Sequence, residues 1–234
     1  MTNTSIGATP GTSTSKNTAE NDLTLSAHTQ TATDLTDVTG LPTTNGEFLS
    51  AIFQGLADPL RPFVLGFGGK PKDRKAWGGE AWRADKSPTD NPAFNWYFSL
   101  ATYAPADDGY HRREKDCAAV YGVMLDDLGT KALPLDRLDA CPPSYVIETS
   151  DGNFQAGYLF TEPVTEFESI KDLNQSMVEA GLCDPGAKSP TTRYGRLPFA
   201  SNGKSDPAFQ CKLTQWHPAR RYTAAVSCGA IYVV

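Results

Sequence analysis

An unbroken run, Ala-Ala-Val-Tyr-Gly-Val-Met-Leu at 118–125, ends on two adjacent carboxylates, Asp126 and Asp127. A strand made from it has no face suited to water, so it belongs at the centre of a sheet covered on both sides. A hairpin is expected just downstream. Residues 144–148 and 154–160 have strand character, and Asp151-Gly152 between them suits a tight two-residue turn.

The covering layers are expected from two amphipathic helices. Asn45 is placed to cap the first, whose apolar stripe is Phe48, Leu49, Ile52, Phe53 and Leu56, with Pro59 and Pro62 ending it. Thr165-Glu166-Phe167-Glu168 has the form of a capping box for the second. Phe167, Ile170, Leu173, Met177 and Val178 line one face of that helix, and Gly181 stands where it should stop. Further strands are expected at 63–66, 95–103 and 210–214. Helices and strands do not alternate regularly, so the class is α+β, not a parallel α/β fold.

The chain has 234 residues, enough for one domain with a substantial core. Residues 1–44 are rich in Thr, Ser, Asn and Gly and hold no aromatic residue, so they are expected to form a disordered tail. The domain is expected over 45–217, with 218–234 as a C-terminal extension. No apolar run reaches the roughly 20 residues of a membrane helix, and Met1-Thr-Asn-Thr lacks the features of a signal peptide. A soluble protein of the cytoplasm is expected. Five cysteines (117, 141, 183, 211, 228) without a CxxC, and three scattered histidines, suggest neither a disulfide framework nor a zinc site.

The formal net charge of -6 argues against simple electrostatic binding of nucleic acid. The distribution argues otherwise. Seven basic residues and one acid, Asp206, lie between Lys188 and Arg221, and Lys70, Lys72, Arg74 and Lys75 form a second basic cluster. The segment from Arg193 to Lys204 sets Arg193, Arg196, Asn202 and Lys204 among turn-forming residues, so several donors can converge on a phosphate. It is not a Walker loop, because GxxxxGK[ST] is absent. Carboxylates at a strand end bind hard divalent cations. Adjacent residues of a strand point to opposite faces, so Asp126 and Asp127 can share an ion only if the backbone turns there, as Leu128-Gly129 would permit.

Three blocks in order carry a resemblance. They are Leu-Asp126-Asp127-Leu-Gly-Thr-Lys131, then Glu148-Thr-Ser150-x-Gly-Asn-x-Gln155-x-Gly-Tyr158, then Arg193-x-x-Arg196-Leu-Pro198-x-x-x-Asn202-x-Lys204. Residues 95–215 resemble the RepB-like primase and primase-polymerase domains of phage and plasmid replication proteins, within the archaeo-eukaryotic primase superfamily. The resemblance implies an RRM-like catalytic core, with a mixed or antiparallel sheet and flanking helices. It implies template-dependent nucleotide polymerisation in the replication of a mobile genetic element, with Mg²⁺ or Mn²⁺ held by Asp126, Asp127 and Asp184. It assigns Ser150, Gln155, Arg193, Arg196, Asn202 and Lys204 to nucleotide phosphates or template. The implied partners are single-stranded DNA, an NTP or dNTP, and a replicative helicase, in a bacterial or phage-infected cell. Two departures are visible. The family's first block is Asp-x-Asp, where this chain has contiguous acids, and its second block ends in His, where this chain has Gln155. They motivate two other readings: a non-catalytic single-stranded nucleic-acid binding module on the same scaffold, or a template-independent nucleotidyltransferase or nuclease.

Overall fold

The computed structural model describes residues 40–227 and 230–233, apart from 76, 86–88, 133, 140, 185, 187 and 188. The expected tail lies outside them save for its last five residues. In chain order the elements are α1 (Asn45–Ile52), β1 (Arg61–Phe67), β2 (Glu80–Ala81), β3 (Asn95–Tyr103), β4 (Pro105–Ala106), β5 (Gly109–Tyr110) and β6 (Cys117–Leu128). Next come β7 (Tyr145–Ser150), β8 (Asn153–Val164), α2 (Phe167–Glu179), β9 (Gly195–Arg196), β10 (Ser201–Asn202), β11 (Phe209–Gln210) and β12 (Lys212–Trp216). Arg221–Tyr222 (β13), Ala224–Ser227 (β14) and Ala230–Val233 (β15) follow.

The main sheet runs β12-β7-β8-β6-β3-β1-β2, antiparallel throughout. The class is α+β, as expected. β6 sits in the middle, and every residue of β3 is buried. The hairpin of β7 and β8 closes through Asp151-Gly152, with Ser150 opposite Asn153 and Gly152 at φ +65°. β13 pairs in parallel with β8 at Leu159 and Phe160, so part of the expected C-terminal extension lies in the main sheet.

Alternation along the strands divides the core. Val123, Leu125, Leu128, Val146, Tyr158 and Phe160 pack with Ile170, Leu173 and Met177 of α2. Met124, Tyr145, Ile147 and Leu159 pack with Phe48, Leu49 and Ile52 of α1. The two helices therefore cover opposite faces of one sheet. At about 1.5–3 kcal/mol per fully buried large apolar side chain, these two clusters supply most of the driving force.

The helix ends differ in detail from expectation. Thr44, in extended conformation, caps α1, its hydroxyl accepting from Glu47 N–H at 3.1 Å. Asn45 is instead buried inside the first turn. It donates to the carbonyls of Thr89 and Phe199 and accepts from Phe199 N–H, tying α1 to two distant loops. The helix stops at Ile52, so Phe53 and Leu56 of the stripe lie beyond it, and Pro62 lies within β1. Arg221 of β13 donates to the carbonyls of Ala51 and Ile52, where α1 itself has no basic residue. β8 runs on to Val164, which leaves the cap of α2 to Glu166, one residue after the expected Thr165. Gly181 ends α2 as expected. At φ +74° its N–H bonds Val178 C=O while Leu182 N–H reaches Met177 C=O, a Schellman closure.

Candidate active site

The site lies where the sheet splits. β3 and β6 pair only from Ala101/Val120 to Tyr103/Cys117. Past that point β3 pairs with β9 instead, Tyr97 with Arg196 and Phe98 with Gly195. β9 thus fills the gap that opens as β6 diverges. Gly195 fits closely there: a Cβ would stand 2.1 Å from Met124 Sδ and 2.8 Å from Gln155 Nε2, so both side chains would have to shift.

Gln155 stitches β9 to β8 by imitating a strand. Its side-chain oxygen accepts from Arg196 N–H at 2.9 Å, and its amide nitrogen donates to Arg196 C=O at 3.4 Å. The Arg196 guanidinium is buried. It donates to Asn95 Oδ1, Ser201 C=O and Asn202 Oδ1, and it lies 4.6 Å from the Tyr97 ring centroid. Asn202 also accepts from Lys204 N–H and donates to Thr149 C=O at 2.7 Å. These three side chains, assigned to the nucleotide from sequence, are turned inward. The reason is physical: a buried polar group without a partner costs about 1–3 kcal/mol, and the irregular backbone at the split supplies the partners.

The acids sit on a β-bulge. Leu125 opposes Ala156 and Leu128 opposes Phe154, so Asp126 and Asp127 together face the single residue Gln155. Asp127 has φ +57°, a left-handed conformation that Asp tolerates better than most residues. Its amide donates to Asp126 Oδ1 at 3.0 Å, and its carbonyl accepts from the amides of Thr130, Lys131 and Ala132. The turn expected at Leu128-Gly129 thus begins on the acids themselves.

That backbone sends the two carboxylates to different partners. Asp126 Oδ2 receives Arg193 at 3.3 Å, and the same guanidinium donates to Met124 C=O. Burial opposes the charge on Arg193, but Cys183 and Asp126 outweigh it and raise its pKa. Asp127 receives Asn153 Nδ2 at 3.3 Å on one oxygen and Lys131 Nζ at 2.6 Å on the other. Lys131 also reaches Asp184 Oδ2 at 3.2 Å, and both carboxylates hold its pKa above the usual lysine range. The Gly186 N–H lowers the pKa of Asp184, burial opposes this, and Lys131 lowers it further.

All three predicted acids therefore lie at one place, although among the described residues no three His, Cys, Asp or Glu groups are gathered tightly enough to hold one ion. Ser150 is half-buried opposite Asn153 in the hairpin register, and Lys204 is exposed. Lys131 and Cys183 were not assigned from sequence, although Lys131 closed the first block.

No family model matches the chain, and no curated protein sequence matches it. Solved structures do. The AEP domain of the primase-polymerase of cyanophage S-2L superposes with a TM-score of 0.53 at 16% identity, covering 73% of this chain and 90% of that one. The catalytic domain of the primase RepB', in complex with initiator DNA, superposes at 0.51 and 18% identity, covering 74% and 86%. A second RepB' structure gives 0.51 and 18%, covering 74% and 57%. The chain is therefore folded like the AEP domain of that primase-polymerase and the catalytic domain of RepB'.

Proposed function

We propose that this chain synthesises nucleic acid on a single-stranded DNA template, as a primase or primase-polymerase serving a mobile genetic element. The observation that supports this most is the meeting of Asp126, Asp127 and Asp184 with Arg193 and Lys131 on a fold shared with primases.

The donor set suits a hard divalent cation. It consists of carboxylate oxygens, and the Lys131 ammonium already lies between two of them as a cationic stand-in. Asp126, Asp127 and Asp184 are not gathered closely enough to share one ion as they stand; drawn together they would hold Mg²⁺ or Mn²⁺, which when bound supplies neutralisation of triphosphate charge and acidification of the attacking hydroxyl. Arg193 is placed to give its Asp126-facing nitrogen to a phosphate, keeping its second nitrogen on Met124 C=O. Lys204 and Ser150 would orient phosphate or sugar. Gln155, Arg196 and Asn202 act beneath them as positioning residues that hold β9, and hence Arg193, in place.

The test is primer synthesis on single-stranded DNA with labelled NTPs or dNTPs, in Mg²⁺ and in Mn²⁺. The intact protein should give template-dependent products, and the variant carrying Asp126→Ala and Asp127→Ala should give none while keeping its fold. Products independent of template would indicate a terminal nucleotidyltransferase. DNA binding without product would favour the non-catalytic binding module, which the inward turn of Gln155 also suits.

A further inference from the structure

The loop between β1 and β2 carries the second basic cluster. It also carries the exposed aromatic Trp77, 39% accessible. Trp77 packs roughly perpendicular to Phe67 and Tyr97, at centroid distances of 5.7 and 5.2 Å. Those two rings are stacked and buried. The neighbouring rings already have cations over them: Arg74 lies 4.5 Å from Phe67, Arg112 4.0 Å from Tyr194 and Arg196 4.6 Å from Tyr97. Among the described residues no such cation covers Trp77.

The loop is held rather than loose. Arg112 donates to Trp77 C=O at 2.8 Å, and Tyr194 donates to Gly78 C=O at 2.8 Å. Gly79, at φ +150°, lets the backbone pass where a Cβ would meet the Tyr194 hydroxyl at 2.1 Å. Tyr194 follows Arg193, so the loop is tied to the same segment that contacts Asp126. Lys70, Lys72 and Lys75 are exposed on the same loop. A flat apolar ring on a rigid mount, in a loop that carries unburied ammonium groups, suits a polymer with a stackable base and a negative backbone.

We infer that Trp77 is a stacking platform for a base of single-stranded DNA, with Lys70, Lys72 and Lys75 on its phosphates. The inference rests on the template-dependent reading for its role, and it places the strand on the β1–β2 side of Arg193. Stacking tolerates any base, so the platform grips the strand without reading its sequence.

Fluorescence anisotropy with a labelled oligo(dT), and with an abasic oligonucleotide of equal length, tests it. Trp77→Ala should weaken oligo(dT) binding on the order of tenfold and leave abasic binding unchanged, and Trp77→Phe should restore most of the loss. Lys72→Ala with Lys75→Ala should weaken both ligands and reduce the salt slope by about 0.7 per lysine. Unchanged oligo(dT) binding by Trp77→Ala, equal loss on the abasic strand, or no binding by the intact protein would overturn the platform. The binding needs no catalysis. A protein that polymerises yet is indifferent to Trp77→Ala loses only the platform. One that binds through Trp77 yet incorporates nothing loses only the polymerase reading.

Discussion

Two polar clusters stand on either side of β9, and they are built oppositely. The inner one, Gln155, Arg196 and Asn202, is 1%, 6% and 3% exposed, and the three side chains are bonded to backbone or to one another. The outer one, Asp127, Lys131 and Asp184, is bridged by an ammonium that is itself 66% exposed. The inner cluster is committed to buried bonds within the fold. The outer cluster can exchange Lys131 for another cation at little cost, because exposed ion pairs contribute at most about 1 kcal/mol. Residues of the kinds that bind phosphate can therefore be scaffold in one place and site in another, and burial distinguishes them.

Arg196→Leu is the strongest way to break that comparison. It removes three buried charge-assisted hydrogen bonds, to Asn95 Oδ1, Ser201 C=O and Asn202 Oδ1, with an expected loss of about 3 kcal/mol or more in urea unfolding. The variant carrying Asp126→Ala and Asp127→Ala should stay within about 1 kcal/mol of the parent by the same assay. If Arg196→Leu unfolded like the parent yet failed to polymerise, Arg196 would belong to the nucleotide. Gln155→Ala comes next. It removes both bonds to Arg196 and should cost about 1–3 kcal/mol, with any loss of activity following the displacement of β9.

The sequence shows how much of this is local. The buried strand, the hairpin at Asp151-Gly152 and the end of α2 at Gly181 were legible because each depends on neighbours in the chain. The caps of α1 and α2 were each read one residue off, since Thr44 and Glu166 were chosen by where the adjacent elements end. The three acids stood out in the sequence, but the bulge did not. It depends on a register of β6 against β8 that no local pattern encodes. Arg196 was harder still, because its partner Asn95 lies 101 residues away. A basic residue in a turn-rich segment looks the same whether distant carbonyls wait for it or a ligand does.

Lys131→Ala probes the outer cluster alone. Stability should barely change, because the ammonium is exposed. Freed of their internal cation, Asp127 and Asp184 should bind Mn²⁺ more tightly. A larger rise in melting temperature on adding Mn²⁺ than the parent shows is the expected readout. An unchanged response would mean that Lys131 and the cation do not compete.

The smallest effect expected is in the acid limb of stability. The pKa of Asp184 is lowered below its ordinary 3.8, first by the Gly186 N–H and also by Lys131, so the fold favours the ionised form. A group depressed in this way contributes fully above its unfolded value and loses that contribution as the pH falls through the folded one. The difference in stability between the parent and Asp184→Asn should thus be flat from neutral pH to about 5 and shrink below about 4. Arg196→Leu should show no such acid-limb decay, because the groups Arg196 bonds, two amides and a carbonyl, do not titrate. A decay for the inner cluster, or its absence for the outer one, would mean that burial does not separate the two as sharply as their geometry implies.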